Sequence, residues 1–147
     1  MTGMGKIGVS GSDKLTEAFA RIQDIPFSVT AEALDAMAAV AVEEIRDTGL
    51  TMGVRDEDSD VHILDHIITK RAKKTDDGGR KRISFDGTRR RGNTDTRNGE
   101  IAFINEYGKR GQPARPLMRT ALEQNAELIS EPGEKIIGDW IENEYKK

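Results

Sequence analysis

Thr30-Ala-Glu-Ala-Leu34-Asp-Ala-Met37-Ala38-Ala-Val-Ala41-Val-Glu-Glu-Ile45-Arg-Asp47 is the stretch that decides the fold class. Leu34, Met37, Ala38, Ala41 and Ile45 recur at intervals of three and four, which predicts a helix over residues 30–47 with one apolar face. Glu32, Asp35, Glu43 and Arg46 fall mainly elsewhere on its circumference. The alanines and valines crowded between positions 31 and 42 would let a sheet approach closely. Asp47-Thr-Gly49 predicts the stop, with the glycine as a left-handed C-cap.

Upstream, residues 1–12 carry four glycines and read as a flexible arm, with Lys6-Ile-Gly-Val9 as a candidate edge strand. Leu15, Phe19 and Ile22 stand at helical spacing until Asp24-Ile-Pro26 interrupts them. Downstream, Asp56-Glu-Asp-Ser-Asp60 is an acidic loop. Residues 61–69 are apolar and β-branched enough for a strand, with helix as the alternative. Asp76-Asp-Gly-Gly79 is a hairpin signal, Arg82-Ile-Ser-Phe85 alternates as a half-buried strand does, and Gly92 to Gly99 reads as a long polar loop. Glu100-Ile-Ala-Phe-Ile-Asn-Glu106 follows as a strand or strand-to-helix element.

Pro113 and Pro116 exclude regular structure around them, and Pro116 suits the first position of a helix. That helix would turn Met118, Ala121, Leu122, Asn125, Leu128 and Ile129 to one side, until Glu131-Pro-Gly133 breaks or kinks it. Ile136, Ile137, Trp140, Ile141 and Tyr145 mark a last amphipathic segment. The order of elements favours a single α+β domain over residues 1–147. A short antiparallel β-sheet would pack against the long N-terminal-half helix and the C-terminal helices, and a basic hairpin or loop would span residues 70–99.

Of 147 residues, 33% are charged and 5% aromatic, so the core is thin and aliphatic. No apolar run nears the ~20 residues of a membrane span, and no secretory leader opens the chain, which predicts no membrane partner and a cytoplasmic origin. The absence of cysteine removes disulfides, thiol nucleophiles and thiolate metal sites. A net charge of −3 hides a strong division. Residues 1–69 carry 5 basic and 13 acidic side chains, a balance of −8. Residues 98–147 hold 7 and 9, a balance of −2. Between them, residues 70–97 carry 11 and 4, a balance of +7. The cations are Lys70, Arg71, Lys73, Lys74, Arg80, Lys81, Arg82, Arg89, Arg90, Arg91 and Arg97. They repel one another unless a polyanion or the acidic surface of a neighbour neutralises them. Few aromatics interleave with them, which disfavours base stacking on single strands.

Catalytic chemistry has little to build on. His62 and His66 flank Asp65 at a spacing that resembles a zinc-hydrolase helix, but no third histidine exists and β-branched neighbours favour a strand. Rim histidines are the simpler reading. Ser10, Ser12, Ser28, Ser59, Ser84 and Ser130 lack a nucleophile-elbow setting, and Gly3, Gly5, Gly8 and Gly11 do not form a dinucleotide cradle. The expectation is a non-enzyme without cofactor or metal.

Ile101-Ala-Phe-Ile-Asn-Glu106-Tyr107-Gly108, followed by Pro113-Ala-Arg115-Pro116-Leu-Met-Arg-Thr-Ala-Leu-Glu-Gln-Asn125, resembles the tail-completion or head–tail joining proteins of tailed bacteriophages. In that family a strand ends in a Glu-aromatic-Gly turn, and a loop with Ala and Pro leads to a helix beginning Pro-aromatic; here Leu117 replaces the aromatic. Asp47-Thr-Gly-Leu50 is similar to the family's turn before its first central strand, and Val9-Ser-Gly-Ser-Asp-Lys-Leu15 to its opening strand and turn. The resemblance implies a virion structural protein at the neck or tail. It would be made in the host bacterial cytoplasm and form a ring, by the resemblance a hexamer, that meets the connector and tail-tube or terminator proteins. Glu106, Tyr107, Gly108, Pro113, Arg115 and Pro116 would then shape a docking surface, with the basic segment on a subunit contact or on the lumen crossed by DNA. The alternative is a small DNA-binding or packaging accessory protein working through residues 70–97.

Overall fold

The computed structural model describes residues 24–54, 63–91 and 93–146, so the expected arm, the segment around Leu15, the acidic loop and His62 lie outside the described residues. The fold is α+β, as expected: among the described residues there are four α-helices and short two-stranded antiparallel sheets.

Helix α1 spans Phe27–Thr51, longer than its periodicity predicts at both ends. Gly49 is not its cap. It is buried inside the last turns, where an added Cβ would lie 2.6 Å from Leu64 Cδ2, so glycine here permits close approach. The left-handed residue is Gly53, at φ +72°. Its N–H donates to Leu50 O at 3.1 Å, and the Val54 N–H donates to Gly49 O at 2.8 Å. This paired closure satisfies two terminal carbonyls and drops Val54 into the core.

Within the expected strand over residues 61–69, Ile63–His66 form a 3-10 turn and Ile67–Thr69 are strand; residues 61 and 62 lie outside the described residues. Strands β1 (Ile67–Thr69), β2 (Lys73–Thr75), β3 (Gly78–Arg80) and β4 (Ile83–Phe85) then form one long hairpin in two segments. Thr69 faces Ile83, and Lys70 donates its N–H to Arg82 O at 2.8 Å. Beyond that rung Lys73 faces Arg80, so Arg71 and Ala72 together oppose Lys81. That extra residue is a β-bulge, which bends the ribbon across α1. Asp76-Asp77 make the tip, as the Asp-Asp-Gly-Gly sequence predicts. Alternation sorts the side chains: Ile83 and Phe85 pack on the core, while Gly79 presses against Phe27, Thr30 and Leu34 of α1.

The expected loop over residues 92–99 is instead a second hairpin, β5 (Thr88–Arg91) with β6 (Thr94–Arg97), followed directly by helix α2 (Asn98–Tyr107). Its strands are almost wholly polar, so no period-two signal marks them. Residues 100–106 are likewise helix, not strand: Ala102 and Asn105 point inward, whereas Phe103 and Tyr107 point out.

Helix α3 spans Leu117–Gln124 and α4 spans Ala126–Tyr145. The break comes at Asn125, and Glu131-Pro132-Gly133 does not interrupt α4. Pro132 lies within its second turn, and Gly133 is buried where α4 crosses Ala33 and Met37 of α1. A side chain at 133 would push the helices apart, so the glycine that looks like a breaker is a packing residue. Because the axis changes at Asn125, Leu122 and Leu128 are exposed, against expectation, while Ala121 and Ile129 are buried. The core sits at the C-terminal half of α1 and comprises Ile45, Val54, Ile63, Leu64, Ala102, Leu117 and Ala121. No helix of the described residues is long and apolar enough to cross a membrane.

Candidate interaction surfaces

The Glu-Tyr-Gly and Pro-Ala-Arg-Pro stretches fold onto each other as a structural knot. Pro116 precedes α3 and offers no side-chain cap. Glu106, arriving from α2, supplies one: its carboxylate accepts the N–H of Met118 and of Arg119, each at 2.9 Å. Two of the four orphan donors at the helix start are thereby satisfied by a carboxylate at the positive end of the helix. Gly108 holds φ +78° and ψ 176°, and a Cβ there would lie 2.9 Å from Ala114 N. Lys109 and Gln112 exchange backbone hydrogen bonds of 2.9 Å to close the turn. Arg115 donates its backbone N–H to Asn105 O and its Nη1 to Gly53 O at 2.9 Å. One loop thus ties α2 and α3 to the end of α1. The Glu-aromatic-Gly turn ends a helix in this chain, where the resemblance implies a strand, and Asp47-Thr-Gly-Leu50 is helical, where it implies a turn.

Glu106→Ala should therefore cost about 1–2 kcal/mol, the range for a lost N-terminal helix cap. Chemical denaturation checks it, with Glu106→Gln losing less because one acceptor oxygen remains. An unchanged midpoint for the alanine variant would show that water caps α3 equally well.

The knot presents rather than buries its aromatic residues. Phe103 is 63% and Tyr107 67% exposed, with ring centroids 4.8 Å apart and planes inclined by 45°. Exposed Lys109 and Arg110 follow two and three residues later. Pro113 is exposed as well.

The basic segment separates into four groups. Lys70, Arg71, Lys73, Lys74, Arg80 and Arg82 are on the first hairpin, and no ion pair joins them to a carboxylate of the described residues. Lys81 is different: its side chain is 12% exposed, and Nζ meets Asp35 Oδ1 of α1 at 2.8 Å. It fastens the ribbon to the helix. Arg97 pairs with Glu100 at 2.9 Å. Arg89, Arg90 and Arg91 lie on β5 opposite Thr96, Asp95 and Thr94. At the hairpin tip the Thr75 hydroxyl donates to Asp77 and holds that carboxyl below its ordinary range.

The histidine constellation does not assemble within the described residues. His66 Nδ1 lies 3.3 Å from Asp86 Oδ1, Asp65 is exposed, and no three potential ligands come together there. Sequence reasoning missed Asn98, which is fully buried where the two hairpins and α2 meet. Its N–H donates to Gly87 O at 3.0 Å and its Nδ2 to Asp86 O at 2.8 Å, fastening the hairpins' base. A polar residue in a polar run gives no signal of such burial. Compared with protein-family models, curated proteins and solved structures, the chain matches none.

Proposed function

We propose that the chain is a virion structural protein, a tail-completion or head–tail joining subunit that forms a ring with copies of itself between the connector and the tail tube of a tailed phage. The observation that carries this reading is the exposed Phe103–Tyr107 pair, on a helix whose end is tied down by the Glu106, Gly108 and Arg115 knot. The stretch that carries the family resemblance spends its special residues on placing two aromatic rings in solvent, beside Lys109 and Arg110. Aromatic rings in water are costly to a monomer and are typical anchors of protein contacts. A closed ring needs two different patches on each subunit. The outer side of α4, with exposed Glu127, Glu131 and Glu134, supplies opposite charge for such a pairing.

Mass spectrometry of purified phage particles from the encoding strain is the direct test. The chain should be present at a few copies per particle, and its absence overturns the reading. Light scattering of the full chain adds a residue-level arm. Phe103→Ser with Tyr107→Ser should weaken self-association at least tenfold, since each such anchor contributes about 2 kcal/mol or more. The melting temperature should hardly move, because both rings are already in solvent.

A further inference from the structure

We propose that the outward face of the first hairpin binds the phosphate backbone of duplex DNA, through Lys70, Lys73, Arg80 and Arg82. The proposal does not rest on the neck-subunit reading. Arg80 and Arg82 flank Lys81, so they share the face opposite the one that Lys81 turns toward Asp35 and Gly79 turns toward α1. Their cross-strand partners are Lys73 and Lys70. Two successive rungs of the ribbon are therefore cation opposite cation, an arrangement that opposes strand pairing. None of the four is neutralised by a carboxylate of the described residues. Lys81, on the inner face, does have a carboxylate. The hairpin thus compensates only Lys81, the cation it tucks against α1. Arg71 and Lys74 are exposed and unpaired among the described residues as well, but only the outward four stand as two cation-opposite-cation rungs. That is the pattern of a surface completed by an external anion.

The anion has the character of a phosphate chain and not of an acidic protein. Protein contacts centre on apolar and aromatic side chains and lose charged ones from their middle. From the first rung to the tip this face offers only the four cations, Thr75 and Gly78. The exposed aromatics of the described residues, Phe103, Tyr107 and Tyr145, belong to α2 and α4 instead. The rungs lie roughly 7 Å apart, and duplex DNA offers a charge every ~1.7 Å of its axis, so each rung finds a phosphate without a fixed register. Lying across the duplex and not in a groove, these cations meet phosphates and not base edges, so binding should be independent of sequence. Asp76 and Asp77 at the tip keep the ribbon from entering a groove end-on, and the duplex crosses the hairpin behind them.

The test is anisotropy titration of a mixed-sequence duplex of about 30 base pairs with the full chain, over about 50 to 200 mM KCl. The variant combines Lys70→Gln, Lys73→Gln, Arg80→Gln and Arg82→Gln. Affinity at the low-salt end should fall at least tenfold, and the slope of log affinity against log salt should flatten by about 3–4, near 0.9 for each phosphate no longer neutralised. The melting temperature should stay or rise, because like charges leave the rungs, so loss of binding cannot be loss of fold. Lys135→Gln with Lys146→Gln, whose lysines already pair with Asp139 and Glu142, should bind as the parent does. Unchanged binding by the four-residue variant overturns the proposal. So does a parent chain with no affinity at about 10 μM in low salt, or competition by polyglutamate equal to that by DNA. A parent that forms rings and enters particles yet ignores DNA overturns this inference alone. One that binds DNA but is absent from particles overturns only the neck reading.

Discussion

Leu117→Ala is expected to lower the unfolding free energy by about 2–5 kcal/mol, the range for truncating a fully buried leucine. Leu117 is completely buried, and its walls are Ile45, Leu64, Ala102 and Ala121, with Gly49 close by. Those walls belong to α1, the 3-10 turn, α2 and α3, so no single element can slide in to fill the space. The Glu106 cap and the Arg115–Gly53 hydrogen bond hold α3 in place on both sides. The upper part of the range therefore applies. The melting temperature should drop by roughly 6–20 °C for a chain of this size. A loss under about 1 kcal/mol would mean that the core collapses around the deletion and that the knot does not constrain α3.

Gly108→Ala should cost about 2–4 kcal/mol, from backbone strain of about 1–3 kcal/mol together with displacement of the connector. At φ +78° and ψ 176° the residue occupies a region open almost solely to glycine. The new methyl would also lie 2.9 Å from Ala114 N and 3.0 Å from Gln112 O, both backbone atoms that no rotamer change can move aside. Gly111→Ala makes the comparison: φ is +82°, but nothing lies within 4 Å of its Cβ position. It should lose only the strain, about 1–2 kcal/mol. Equal losses at the two positions, read by urea denaturation, would show that crowding against the connector plays no part.

These two positions also show what can be read from sequence and why. Glu106, Gly108 and Arg115 stand in a run whose two prolines and glycines announce a turn, so the turn itself is legible. That Glu106 would cap a helix starting eleven residues later is not, because the contact depends on α2 and α3 folding back on each other. The same division runs through the glycines. Gly49 and Gly133 look like breakers in one dimension, yet both are helical and sit where Leu64 and Met37 approach closely. Helix ends read from local signals fail at both, since the buried contact outweighs the intrinsic preference of glycine for turns.

The segments whose structure departs from expectation carry weak or ambiguous patterns. Residues 88–97 have almost no apolar side chain, so a hairpin held by backbone hydrogen bonds looks like a loop. Residues 100–106 are short and mostly apolar, a composition that suits either element. Helix won there because Ala102 and Asn105 face the core three positions apart.

By itself the sequence determined the α+β class, the long central helix, the Asp-Asp-Gly-Gly hairpin and the concentration of positive charge between residues 70 and 97. Each follows from local periodicity, turn chemistry or counting, which need no partner in space. Only the tertiary structure decided which cations remain uncompensated. Lys81 and Arg80 are neighbours of equal charge, but strand alternation turns Lys81 inward to Asp35 and leaves Arg80 outward, facing Lys73. The bulge at Arg71-Ala72 sets that register, and a one-residue slip would have exchanged their roles.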